Sequence, residues 1–209
     1  MNEYLKDTAP YLKGIWTRLL NECLKQGDIP KCWRQATVKV LYKEKGNTND
    51  PNAYRGIALE CAAFKLLTSL LTKRIYKQTV DNIPIEQFGF RKGQSTVQAV
   101  ECLQNDIEEA LRHHRGKLHA IFVDYTKAFD LLNRNLVIRN LEDITSRTYI
   151  TRLLRNILGN NTVIIDDNVT RSNPIQQTKG VLQGDPLSPL LFQIDMAHLP
   201  QQVATKNVK

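Results

Sequence analysis

Apolar residues recur at helical spacing through Leu12, Ile15, Trp16, Leu19, Leu20, Cys23 and Leu24, and Gly27 ends the run. That periodicity predicts an amphipathic helix. Ala36–Tyr42 is short and valine-rich and predicts a strand. Lys43–Gly56 carries Gly, Asn, Asp and Pro and predicts a loop. Helical spacing returns over Ala62–Gln78 and Thr96–Arg112, with Ser95 or Thr96 placed to cap the latter. Leu118–Asp124 is apolar enough to predict a strand covered on both faces. Two further helices are predicted over Leu136–Ile144 and Tyr149–Leu158, with Gly159 closing the second. A hairpin follows, Thr162–Ile165 and Val169–Gln177 around the turn-forming Asp166-Asp167-Asn168. Ser188–His198 predicts a short helix, and the polar stretch from Pro200 to Lys209 a frayed tail. Helices with few strands and no internal repeat give an α+β fold.

The chain has 209 residues, which fits one large domain or two small lobes. Its apolar content, 42%, supports a core and argues against disorder. The net charge of +8 favours a polyanionic partner, nucleic acid or an anionic surface. No apolar run is long enough for a transmembrane helix, and the first residues do not form a secretory signal. Cys23, Cys32, Cys61 and Cys102 show no CxxC spacing and are expected as reduced thiols of an intracellular protein. His113 and His114 are adjacent. On a helix they diverge by about 100°, which disfavours a shared metal.

Asp124 closes the apolar run Ala120-Ile-Phe-Val and opens a polar segment. A carboxylate so placed suits a hard cation such as Mg²⁺, with the Tyr125 carbonyl as a second oxygen. A strand-end aspartate that merely starts a turn is the commoner case. Gln183-Gly184-Asp185-Pro186 lies between the hairpin and an apolar helix. Gly184 would let a ligand approach the backbone, although a tight loop has the same composition. Lys43 and Arg55 flank a basic, glycine-bearing stretch that could clamp a triphosphate or simply be solvated. There is no GxxxxGK[ST] loop. Phe88-Gly89-Phe90-Arg91-Lys92 mixes aromatic and basic residues in a way that suits a nucleic-acid backbone.

The ordered segments YRGI, FGFRKGQST, FVDYTKAFD and KGVLQGDPLSPLLF resemble the reverse transcriptase domain of non-LTR (LINE-type) retrotransposons, over roughly Ile29 to His198. The resemblance implies a right-hand, fingers–palm polymerase that adds dNTPs to a DNA primer on an RNA template with Mg²⁺. Its implied parts are an N-terminal helical extension over 1–28, mainly fingers over 29–117 and partial palm over 118–209. By the same resemblance Asp124 is the catalytic, metal-binding aspartate. Phe129 is the aromatic gate that excludes a ribose 2′-OH. Gln183 and Gly184 lie beside the incoming nucleotide, Lys43 and Arg55 lie on its triphosphate, and Phe88–Lys92 handles template and primer. Such a protein is expected in nucleus and cytoplasm, away from membranes.

The family's aromatic-x-Asp-Asp hairpin, which supplies the second metal-binding aspartate, does not appear after Gln183-Gly184. Asp166-Asp167 imitates it, but precedes that loop and lacks the leading aromatic, and so reads as a turn. Asp130 and Asp185 read as local structural carboxylates. The expectation is therefore an incomplete palm without a thumb, a piece of a longer protein that polymerises poorly. The alternative is a non-catalytic nucleic-acid-binding remnant.

Overall fold

The computed structural model describes residues 2–112, 116–145 and 147–200. His113, His114 and the expected frayed tail beyond Pro200 lie outside them. The order is α1 (Asn2–Gln26), β1 (Gln35–Tyr42), β2 (Tyr54–Leu59), α2 (Ala62–Thr79), α3 (Thr96–Arg112), α4 (Ala128–Leu131), α5 (Arg134–Ile144), α6 (Thr148–Asn160), β3 (Thr162–Asp166), β4 (Ile175–Gln176) and α7 (Ser188–Met196). The fold is mixed, with helices beside one small sheet of order β2-β1-β3-β4. β1 runs antiparallel to β2 and parallel to β3, and β3 runs antiparallel to β4. Among the described residues no helix is long and apolar enough to cross a membrane. The four cysteines are unpaired.

The core lies among the helices. α6 buries Ile150, Leu153, Leu154 and Ile157, the i, i+3, i+4, i+7 stripe of an amphipathic helix. The same core takes in Val137, Ile138 and Leu141 of α5, which packs on both α6 and α7, Leu190, Leu191 and Ile194 of α7, and Phe64, Leu67, Leu71 and Ile75 of α2, which packs on α7. Only Leu20 and Cys23 of the predicted α1 stripe are fully buried, and Ile15 stays 56% exposed. Helix starts follow side-chain chemistry. Asn133 Oδ1 accepts from the Asn135 and Leu136 amides, which starts α5 two residues before the predicted Leu136. Ser95 and Gln98 exchange hydrogen bonds in a capping box that opens α3.

Two predicted elements are corrected. The loop expected over Lys43–Gly56 ends early, because Tyr54–Leu59 is a strand paired to β1 in the register Tyr42↔Tyr54 to Thr37↔Leu59. Gly56 looked like loop material, yet it sits in β2. A Cβ there would come within 2.8 Å of Val38 Cγ1, so the glycine serves close packing rather than a turn. The strand expected over Leu118–Asp124 is not formed. No strand among the described residues lies beside it to take its backbone groups, and Ile121, Phe122 and Val123 are 89%, 83% and 76% exposed. Apolarity alone does not make a strand; a partner must supply the ladder. The smaller differences are at ends. α6 runs through Gly159 to Asn160, and β4 is only Ile175–Gln176.

Arg134, at the start of α5, is buried and joins segments distant in sequence. Its Nε donates to the Gly180 carbonyl (2.6 Å), and its Nη1 to the Gln177 carbonyl (2.6 Å), to Asn161 Oδ1 (3.1 Å) and to the Leu158 carbonyl. Burial lowers its pKa to about 10, which still leaves it charged at neutral pH. We expect Arg134→Met to lower the unfolding free energy by about 3 kcal/mol, because it strands several buried carbonyls at once. Urea denaturation at pH 7 measures this. An unchanged midpoint would show that the guanidinium is not the tether.

Candidate active site

A cavity of about 710 Å³ opens between β2, the segment after Asp124 and the loop before α7. Lys43, Arg55, Asp124, Tyr125 and Gln183 line it, though they span 140 positions of chain. Five of the residues singled out in the sequence thus converge. Gly184 follows Gln183 directly. Phe129 and the Phe88–Lys92 group are not among the lining residues.

The cationic wall is built on the β1–β2 hairpin. Lys43 follows β1, with its amide on the Ala53 carbonyl (2.8 Å) and its Nζ on the Asn52 carbonyl (2.9 Å). The hydroxyls of Tyr42 and Tyr54 donate to the Gly46 and Thr48 carbonyls (2.7 and 2.9 Å), and the two rings are tilted by 57° with centroids 5.5 Å apart. Those contacts hold the loop's backbone. Arg55 is exposed, stands opposite Leu41 in the ladder and, among the described residues, engages no carboxylate.

The opposite wall is the segment from Gly180 to Pro186. The Gly180 amide donates to the Leu132 carbonyl (3.0 Å) and the Val181 amide to the Phe129 carbonyl (2.8 Å). Gly180 has φ +70°, and a Cβ there would stand 2.6 Å from the Phe129 carbonyl oxygen and closer still to that of Asp130. Two residues onward, the Gln183 carbonyl accepts from the Ala58 amide (2.8 Å), which fastens the loop to β2. Gly184 has φ +123°, and a Cβ there would meet the Ala58 carbonyl at 2.8 Å. Only glycine permits that approach. Asp185 turns the chain into α7: its Oδ1 accepts from the Leu187 amide (2.8 Å).

Asp124 and Tyr125 line the cavity's third side, on the uncovered segment. Asp124 is therefore not fixed at a sheet edge as expected. A carboxylate and a carbonyl are hard oxygen donors and fit a divalent cation that draws its remaining ligands from water and phosphate. Among the described residues no three His, Cys, Asp or Glu side chains cluster as a complete metal cage.

Phe129 lies behind the cavity rather than in its lining. Its ring stacks on Phe192 (centroids 5.4 Å apart, planes 23°) and meets Phe90 edge-on (6.0 Å, 83°). In the Phe88–Lys92 stretch, the Gly89 carbonyl accepts from Gln193 Nε2 (2.9 Å). Arg91 Nη1 donates to the Ile83 and Pro84 carbonyls (3.2 and 2.7 Å). Phe88 is half-buried, and Lys92 is exposed.

Asp166 and Asp167 are fully employed elsewhere. Asp166 is buried, accepts from Lys39 Nζ (2.8 Å), the Asn168 amide (2.9 Å) and Arg171 Nε (2.9 Å), and has its pKa lowered to about 2 by those bonds, the one from Lys39 foremost. Asp167 Oδ1 accepts from the Val169 and Thr170 amides (2.9 and 2.6 Å). They hold a turn, as their sequence context predicts.

Sequence reasoning passed over Lys127 and Glu60, and read Asp130 only as a local structural carboxylate. Lys127 and Asp130 line the cavity, and Lys127 has left-handed backbone (φ +56°). Their place a few residues beyond Asp124 was the available signal. Glu60, just after β2, has both carboxylate oxygens buried without a partner among the described residues. It lines a cavity of about 30 Å³ shared with Arg34, Trp33, Phe64 and Asp185, which has room for about one water. Burial, and then the charge of Asp185, raise its pKa to about 8. Burial likewise raises the pKa of Asp185.

Residues 42–209 match the family described as "Reverse transcriptase (RNA-dependent DNA polymerase)". The chain belongs to this family. Its relatives are proteins of non-LTR retrotransposons. It is 29% identical over 184 residues to the "Probable RNA-directed DNA polymerase from transposon BS" of Drosophila melanogaster, covering 87% of this chain and 20% of that one. It is 26% identical to the "RNA-directed DNA polymerase from mobile element jockey" of the same fly, over 91% of this chain and 21% of that protein. It is 28% identical to the "Retrovirus-related Pol polyprotein from type-1 retrotransposable element R2" of Nasonia vitripennis, over 93% and 20%. The chain thus spans about one fifth of the length of these relatives.

Glu60 gives a pH prediction. Between about pH 4.5, its ordinary pKa, and about 8, the folded chain holds a proton that the unfolded chain has released, so stability falls as pH rises through that window. Glu60→Gln should flatten that decline and raise the melting temperature relative to the parent above pH 8. Parallel stability–pH curves for the two proteins would refute it.

Proposed function

We propose that the chain is the nucleotide-binding part of an RNA-directed DNA polymerase that extends a DNA primer on an RNA template. Residues 29–117 supply mainly fingers and 118–209 palm, with 1–28 a helical extension. One observation carries the reading: a single cavity joins Lys43 and Arg55 on one wall, Gln183 on another, and Asp124 with Tyr125 on a third. Cations opposite a carboxylate fit a magnesium–triphosphate and fit few smaller ligands as well.

In this reading the Arg55 fork and the Lys43 ammonium hold the triphosphate oxygens and draw charge towards the leaving pyrophosphate. Gln183 lies against the nucleotide, and Gly184 lets the loop sit close on Ala58, which keeps that surface in place. Phe129, next in the chain to the cavity-lining Asp130 and packed between Phe90 and Phe192, is the aromatic gate that selects against a 2′-OH from behind the lining. Phe88–Lys92 lies along template and primer. The Asp124 carboxylate and the Tyr125 carbonyl would hold Mg²⁺, whose charge would offset that developing on the attacking and leaving oxygens. The chain itself contributes alignment and fixed charge.

A second reading, nucleic-acid binding without catalysis, draws on the absence of a three-carboxylate cluster among the described residues. Primer extension on an RNA template separates the two: extension abolished by Asp124→Asn supports the polymerase, and none at any Mg²⁺ concentration supports the binding domain.

Two outcomes are expected of the chain itself. Calorimetry with dATP and Mg²⁺ should show binding that Arg55→Ala weakens about tenfold, the scale of one charge-assisted contact. Affinity for an RNA–DNA primer–template should fall linearly with salt on logarithmic axes. Nucleotide affinity indifferent to Arg55 would remove the triphosphate assignment, and salt-independent binding would remove the phosphate contacts.

A further inference from the structure

We infer that Phe90 is a specificity-determining residue that positions the ring of Phe129, so that the Gln87–Thr96 segment takes part in choosing between deoxyribose and ribose. The inference rests on the proposed role of Phe129 at the sugar.

Phe90 is costly where it stands. Its φ is +59°, a left-handed conformation that bulky side chains rarely adopt and that glycine and asparagine accept readily. Burial does not compensate, since the residue is 60% exposed. Local stability alone would favour another residue. What the conformation achieves is the delivery of a ring edge-on to Phe129, at 6.0 Å and 83°, a favourable aromatic geometry.

The backbone around Phe90 is held from both sides. Gln193 of α7, itself only 1% exposed, donates Nε2 to the Gly89 carbonyl (2.9 Å). Arg91 closes the other side, with its guanidinium on the Ile83 and Pro84 carbonyls. α7 also carries Phe192, whose ring stacks on Phe129 at 5.4 Å. One helix therefore sets both neighbours of Phe129: Phe192 through its own ring, and Phe90 through Gln193. Phe129 is confined by a stacked ring and a perpendicular one. Without Phe90 its ring can turn into the vacated space, and a 2′-OH then meets less resistance.

This role differs from a grip on template or primer, which would leave sugar choice untouched. The test measures the affinities of the chain for dATP and ATP, both with Mg²⁺, by calorimetry, in the parent and in Phe129→Ala, Phe90→Asn and Phe90→Tyr. Asparagine suits left-handed backbone, so Phe90→Asn should melt no lower than the parent, which separates loss of the ring from loss of the fold. The parent should prefer dATP, and Phe129→Ala should abolish the preference. Phe90→Asn should reduce it about two- to tenfold, the range of one aromatic pair, and Phe90→Tyr, which keeps a ring there, should retain it. With Phe129 already replaced by alanine, Phe90→Asn should have no further effect on the ratio.

If Phe129→Ala abolishes the preference and Phe90→Asn leaves it intact, the inference about Phe90 fails alone. If Phe129→Ala also leaves it intact, or the parent shows no preference, the role of Phe129 fails and this inference with it. A change in primer–template affinity in Phe90→Asn with an unchanged dATP:ATP ratio assigns Phe90 to nucleic-acid contact and overturns the proposal.

Discussion

A buried guanidinium with no carboxylate beside it among the described residues governs the architecture around the cavity. Arg134 begins α5, and the carbonyls it collects belong to the end of α6, to the residue after β4 and to Gly180. Carbonyl dipoles, not a counter-ion, compensate its charge. Such compensation is directional: each carbonyl must point inward, so each segment's course is constrained. The segment from Gln177 to Val181 is the one most affected. It has little regular structure of its own, yet it leads into the Gln183-Gly184 loop. Once Arg134 holds Gln177 and Gly180, and the backbone of Phe129 and Leu132 holds Val181 and Gly180, the loop emerges at a fixed place against β2.

Two glycines let those segments approach so closely. Gly180 and Gly184 have positive φ, and in both a side chain would strike a backbone carbonyl rather than a flexible side chain. A carbonyl in a paired strand or helix start cannot move aside cheaply. The tether and the glycines are therefore complementary: Arg134 draws the segment in, and the glycines remove what would stop it. β1 pairs with both β2 and β3, so one sheet joins residues 35–59 to residues 162–166. The cationic wall and the Gln183 wall are thus linked through paired strands and through the Ala58–Gln183 bond.

Much of this was legible in sequence because it depends on local rules. Helical periodicity located α2, α3, α5, α6 and α7 to within a few residues, and turn chemistry marked Asp166-Asp167-Asn168 as a turn. Order and spacing of the motifs gave the family. The gathering of Lys43, Arg55, Asp124, Tyr125 and Gln183 followed the same motifs, although their roles remain proposals. What could not be read depends on partners distant in the chain. Nothing within residues 54–59 says that β1 pairs with them, and Gly56 points the other way. Nothing within residues 118–124 says whether another strand lies alongside. The number of bonds Arg134 makes depends on carbonyls 24 to 46 residues away. Glu60 is an isolated carboxylate in sequence, and only the packing of Trp33, Phe64 and Asp185 around it makes its charge unfavourable.

The walls of the cavity are unequally held, and that bears on what a ligand would have to do. The Lys43–Arg55 wall is braced by two tyrosine hydroxyls and an antiparallel ladder, and the Gln183 wall by Arg134, Ala58 and Asp185. The Asp124 wall lacks such bracing, for its leading residues Ile121, Phe122 and Val123 are exposed and unpaired. A cation bridging the Asp124 carboxylate and the Tyr125 carbonyl would have to order that segment as it bound, and ordering backbone costs about 1–2 kcal/mol per residue. The cost would be smaller when a triphosphate held by Lys43 and Arg55 already presented oxygens to the same cation. Under the proposed function, nucleotide and metal therefore bind with positive coupling, because each supplies ligands and order that the other needs. Under that proposal the braced walls would recruit the nucleotide, and the nucleotide would draw the carboxylate into place.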